Sequence, residues 1–146
     1  MARTSIDVLR QHIYDICEGH DITVVDGSSY NARAWKKNRE IRIRPVKTSN
    51  TYAVALHEIG HILGKWQSKP RLIAEAGAWL WARQHALEWN DQMESKLRKS
   101  LTSYLKWARL RQHRKRPPVI PTPTSHPQFW QVFYWNEWWG KSVIKR

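Results

Sequence analysis

Apolar residues recur at helical spacing in several stretches of the chain and alternate with polar ones in a shorter stretch between them. Ile6, Leu9, Ile13 and Ile16 stand three and four apart. They predict a helix over residues 4–18, capped by Thr4 or Ser5 and stopped by Gly19. Ile22-Thr23-Val24-Val25 is short and β-branched, and Asp26-Gly27-Ser28-Ser29 follows it as a turn signal. Residues 30–35 predict a second strand. Lys36-Lys37-Asn38 reads as a reversal into a third, Ile41-Arg42-Ile43-Arg44, where apolar and basic residues alternate with period two. Pro45 donates no backbone hydrogen bond, which places this third strand at or near a sheet edge.

Thr48-Ser49-Asn50-Thr51 then offers caps for a helix running to about Leu63, ended by Gly64. Pro70 separates it from a helix predicted from Arg71 to Trp89. A third or continuing helix carries Met93, Leu97, Leu101, Leu105 and Ala108 at three- and four-residue steps. Proline density from Pro117 to Pro127 excludes helix and suggests an extended linker. Phe129 to Trp139 holds seven aromatics in eleven positions, too many to leave in water. The expected class is α+β. Its parts are a domain over residues 1–110, a basic, proline-rich linker over 111–128, and an aromatic tail over 129–146. The tail is expected to pack on the domain, on a second copy or on a partner.

At 146 residues the chain is long enough for one domain with its own core. A single cysteine, Cys17, permits no intramolecular disulfide, and no apolar run is long enough for a membrane span. A soluble, cytoplasmic protein in a reducing compartment is the expectation, with Cys17 as a small core residue. Charge changes the picture in the second half. Residues 1–90 carry 13 Lys/Arg against nine Asp/Glu, whereas residues 91–146 carry twelve against three. Lys96 to Arg116 holds nine basic residues and no acid. Arg109, Arg111, Arg114, Lys115 and Arg116 are therefore candidates for sequence-independent phosphate contacts with nucleic acid. The plainer reading is the solvated face of a helix.

The chemistry concentrates in His57-Glu58-Ile59-Gly60-His61. H-E-x-x-H on a helix sets two imidazoles one turn apart on one face, able to share a metal ion, with the glutamate beside them as a general base. Seven His and seven Glu in this chain would produce roughly 0.016 such matches by accident, so chance is a poor explanation. A catalytic zinc takes three protein ligands and keeps one position open. Glu75, early on the next helix, is the leading third ligand. Ala78 and Ala82 share its face and are small enough for the two helices to approach closely. Glu88 is the runner-up, and His85 a weaker candidate.

A helix, a small sheet, the H-E-x-x-H helix and a glutamate-bearing helix follow one another as in minimal zincin peptidases. Glu75-x-x-Ala78-Trp79-x-Trp81-Ala82 is similar to the glutamate-ligand helix of ImmA/IrrE-type metallopeptidases of phages and mobile elements, where Glu-x-x-Ala-Asn-x-Phe-Ala is typical. The resemblance covers about residues 5–90. The gap between the two motifs is shorter here, and Trp79 stands where asparagine is common. The basic helix and tryptophan-rich tail have no counterpart in that family. The resemblance implies a Zn²⁺-dependent endopeptidase held by His57, His61 and Glu75, with Glu58 as catalytic base. Its substrate would be a regulatory protein, in the host-cell cytoplasm if the chain is phage-encoded. Ile41, Arg42, Ile43 and Arg44, as an edge strand, would bind an extended substrate by strand addition, or simply form a solvated basic edge. Tyr52, His85 and Arg83 are the candidate donors to an oxyanion.

A different class of function also fits. The chain would then be a basic nucleic-acid- or protein-binding module whose zinc site is structural or vestigial. A DNA-associated protease of the SprT type belongs beside it, although that group takes a third histidine as ligand, for which only His85 is present. Peptide deformylases take a cysteine from an upstream motif that Cys17 lacks.

Overall fold

A computed structural model describes residues 5–27, 31–122, 124 and 126–131 of the chain. Its architecture is α+β. The elements in order are α1 (Ile6–Gly19), β1 (Thr23–Asp26), β2 (Arg33–Trp35), β3 (Glu40–Ile43), α2 (Ser49–Leu63), α3 (Arg71–His85), α4 (Asp91–Leu110) and α5 (Pro127–Trp130). Ser5 caps α1 by accepting the Val8 N–H, and Leu9, Ile13 and Cys17 turn inward. Burial raises the Cys17 thiol to about 11, so it remains a protonated, unreactive core residue at neutral pH.

The three strands form one mixed sheet in the order β1-β3-β2. β3 pairs parallel with β1 and antiparallel with β2. The β2–β3 reversal closes at residues 36–39, with Arg39 in the left-handed region at φ 50°. This order corrects the edge expectation for residues 41–44. Pro45 lies beyond the last residue of β3 and interrupts no ladder bond, while Ile41 and Ile43 are core residues. A strand paired on both sides has no free edge for a peptide. Of the residues expected to add a substrate strand, Ile41, Arg42 and Ile43 therefore have no free edge, and Arg44 lies beyond the end of β3. Among the described residues the edges of this sheet are β1 and β2.

α2 is the central helix. Its start is fixed by a reciprocal cap: Thr48 Oγ1 accepts the Thr51 N–H at 3.1 Å, and Thr51 Oγ1 accepts the Thr48 N–H at 2.9 Å. α1, the sheet, α3 and α4 all pack against it. The tightest seam is with α3. A Cβ on Gly60 would run into the Ala78 carbonyl and stand 2.9 Å from the Ala78 Cα. A Cβ on Gly77 would run into the Lys65 carbonyl. The two backbones are therefore closer than any side chain at these positions allows.

α3 ends at His85, not at Trp89. No glycine or proline marks the break. Instead the Leu87 N–H donates to the Tyr52 hydroxyl at 3.0 Å, and Asn90 Oδ1 caps the next helix through the Met93 N–H at 2.9 Å. These partners come from tertiary structure and from the next cap, so periodicity alone runs past them. α4 follows its pattern: Met93, Leu97, Leu101, Leu105 and Ala108 form one buried stripe. After the linker, α5 buries Phe129 and Trp130, and the Trp130 indole donates to the Pro121 carbonyl at 2.9 Å. The first tail aromatics thus pack on the domain; residues 132–146 lie outside the described residues. No helix among the described residues is long and apolar enough to cross a membrane.

Gly60→Ala should lower stability by about 1–3 kcal/mol, the usual cost of overpacking. Urea denaturation reads this as a lower midpoint at unchanged slope. A variant as stable as wild type would contradict the close seam.

Candidate metal centre

The α2–α3 seam delivers the site. His57 and His61 stand one turn apart on α2, and Glu75 sits one turn into α3 opposite them. Their ligand atoms all lie within 4.8 Å of one another, a His-His-Glu group positioned to hold a metal ion. Glu75 Oε1 is 2.9 Å from His57 Nε2, and Glu75 Oε2 is 3.0 Å from His61 Nε2. One carboxylate thus bridges both imidazoles. Glu58 lies beside the cluster with Oε2 3.4 Å from His57 Nδ1. His57, Glu58 and Glu75 are the buried polar side chains among the described residues, at 8%, 6% and 8% exposure. That concentration of buried ionisable groups is costly unless they serve one another or a ligand.

Further contacts set the ring orientations. Gln67 donates its amide hydrogens to the carbonyls of Lys65 and Ala74, at 2.9 and 2.8 Å. Its Oε1 is therefore left to accept, and His61 Nδ1–H, 3.0 Å away, is the donor. That assignment leaves His61 Nε2 as the atom that can ligate a metal. His57 is held flat by Trp79, whose ring stacks on it at 4.2 Å and 14°. Trp79 thus fixes the His57 ring by packing.

Electrostatics tie the three ligands together. Burial works to lower the His57 imidazole, but its hydrogen bonds and charge interactions with Glu58 and Glu75 outweigh this and hold it up to about 9. Burial works to raise Glu75, but hydrogen bonds and charges from His57 and His61 hold it down to about 2. At neutral pH the metal-free cluster is therefore an ion-paired one, with a proton on His57 that a cation must displace.

The structure separates the remaining candidates. Glu88 lies beyond the end of α3, outside the converging group. His85 stacks on Trp81 and hydrogen-bonds the Trp81 carbonyl through Nδ1. Arg83 pairs with Glu94 at 3.2 Å. Tyr52 is fully buried, and its hydroxyl is engaged by the Leu87 N–H and by His12 Nδ1. None of these three lines the cavity that holds Glu58. The residue missed is Tyr104 on α4, which shares a cavity of about 410 Å³ with Glu58, His57, His61 and Glu75. Burial and the neighbouring Glu75 raise its hydroxyl above the usual tyrosine value. Its one visible signal was its place next to the Leu101–Leu105 stripe, which also suits an ordinary packing residue. In the basic region, Arg111 folds onto Trp107 and donates to its carbonyl, while Arg114, Lys115 and Arg116 are exposed. Arg109 is half-buried near the end of α4.

Zinc uptake should strengthen with rising pH up to about 9, where His57 loses its proton unaided. Each proton displaced makes the apparent affinity rise about tenfold per pH unit below that. Calorimetry in buffers of different ionisation enthalpy measures the released protons; a pH-independent affinity would contradict the assignment. Glu75→Ala should abolish stoichiometric binding while Glu88→Ala retains it, read by metal analysis after gel filtration. The reverse pattern would move the third ligand to Glu88. Comparison with protein-family models, with curated proteins and with solved structures finds no match.

Proposed function

We propose that the chain is a zinc-dependent endopeptidase with a zincin-like core formed by α1, the sheet, α2 and α3. The observation that carries this is Glu58. A metal site that only braced the fold would need its ligands, but not a buried carboxylate next to them that is not itself a ligand. Two imidazoles and one carboxylate suit zinc, and three protein ligands leave a coordination position for chemistry. When bound, zinc supplies Lewis acidity, polarising a peptide carbonyl and acidifying water.

The chain's own groups do the rest. Glu58 takes the proton of the attacking water and passes it to the leaving amine. Tyr104, in the same cavity, offers a hydroxyl to the oxygen that gains charge on the carbonyl. β2, through Arg33 and Ala34, and the preceding Ala32 form a wall of that cavity. Being a sheet edge among the described residues, β2 offers backbone groups to an extended peptide. The strand-addition role expected of residues 41–44 thus moves to the neighbouring strand. The ImmA/IrrE-type resemblance over residues 5–90 supports a regulatory protein as substrate, in a phage or mobile-element setting.

A second reading rests on Arg114, Lys115 and Arg116, exposed where the sequence has no acid between Ser95 and Asn136. They suit nonspecific phosphate contact, with affinity falling steeply as salt rises. This activity is compatible with the peptidase.

Glu58→Gln should keep full zinc occupancy and lose cleavage of an unfolded protein substrate by about 10²–10⁴-fold, the usual worth of a general base. Zinc-loaded wild type that hydrolyses nothing, or a variant that cleaves equally well, would overturn the peptidase reading.

A further inference from the structure

The cavity holding Glu58 is half of a longer groove. A second cavity of about 520 Å³ shares Ala32, His57 and Tyr104 with it and continues along α2 past Val54 and Thr51. His57 and Tyr104 therefore stand mid-groove, with β2 and its preceding residues along one side and α4 along the other. The charges lining this groove are one-sided. Arg44 and Lys96 line the far half. Arg33, Lys36 and Arg71 line the half that holds the ligands. The acids lining the two halves are Glu58 and Glu75, which belong to the centre itself.

A basic chain puts basic residues everywhere, but that background does not account for the groove. Residues 1–90, which form most of its walls, hold nine acids against 13 basic residues. With Glu58 and Glu75 of the centre set aside, none of the other seven acids lines it, whereas four of the 13 basic side chains do, and α4 adds Lys96. Cations at both ends and none of the available surface acids make a field that selects its ligand.

We infer that the groove takes an acidic peptide: a segment with Asp or Glu on both sides of the bond held at His57 and Tyr104. The inference rests on the peptidase reading and adds its substrate class. Carboxylates on the two sides of the central bond would meet Arg44 and Lys96 in one half of the groove and Lys36 and Arg71 in the other. Like charge repels basic peptides from the same groove.

The test uses zinc-loaded full-length Glu58→Gln and three fluorescent peptides of equal length and equal central residues, flanked by acidic, neutral or basic side chains. Anisotropy should give the acidic peptide about a tenfold or greater advantage over the basic one, shrinking as salt screens the exposed charges. Lys96→Glu and Arg71→Glu should each weaken acidic-peptide binding by up to about fivefold. Lys69→Glu, exposed but outside the groove, should leave it unchanged. Lys96→Met, which removes the charge without reversing it, should fall between, and zinc stoichiometry reports that each variant remains folded.

Equal binding of all three peptides, or a loss in Lys69→Glu matching that in Lys96→Glu, would overturn the inference. So would a single-stranded oligonucleotide that displaces the acidic peptide and binds more tightly through Lys96, because the groove would then be a nucleic-acid channel. Binding and hydrolysis fail separately. Wild type that binds the acidic peptide but cuts none of the three removes the peptidase reading and keeps the groove. Wild type that cuts all three alike keeps the peptidase and removes the acidic preference.

Discussion

The close approach of α2 and α3 is the constraint on which the rest depends. Gly60 faces the backbone of Ala78, and Gly77 faces the carbonyl of Lys65, with no room for a side chain at either glycine. Only at that separation does a short carboxylate on α3 reach two imidazoles on α2. Glu75 contacts both, at 2.9 and 3.0 Å. Gln67, in the connection between the helices, hydrogen-bonds His61 and the carbonyls of Lys65 and Ala74. The connection that brings the helices together therefore also orients His61. Packing and chemistry are the same set of contacts here.

α4 gives the C-terminal half a part in the site. Its buried stripe fixes it against α2 and α3. One step around the helix from that stripe, Tyr104 and Lys96 line the groove. α4, which opens the basic C-terminal part of the chain, thus forms a wall of the cavity beside the His-His-Glu group. The start of the aromatic tail is used as packing: Phe129 is fully buried and Trp130 nearly so. Lys65 in the α2–α3 connection touches Gln128 of α5, so this packing reaches the turn that carries Gln67.

Much of this was legible from residues alone, for identifiable reasons. Helical periodicity marked α1 and α4 because each buries one stripe, and the caps at Thr48–Thr51 with Gly64 marked α2. The H-E-x-x-H spacing marked His57, Glu58 and His61 because helical geometry alone brings them together. Small Ala78 and Ala82 pointed to Glu75, since close packing leaves its trace in residue size. Three features left no such trace. Strand order is a nonlocal choice, so Pro45 suggested an edge where the parallel β1–β3 pairing makes β3 central. The end of α3 depends on Tyr52, distant in sequence. Tyr104 looked like any aromatic beside an apolar stripe, and only the placement of α4 over α2 brings it to the centre.

Zinc-edge X-ray absorption on the loaded protein tests most directly whether His57, His61 and Glu75 together hold one zinc ion. One equivalent of zinc is expected, bound by two imidazoles with the remaining donors oxygen, and one imidazole signal should vanish in His61→Ala. A sulfur donor, a single imidazole in the wild type, or failure to take up one equivalent would contradict that assignment.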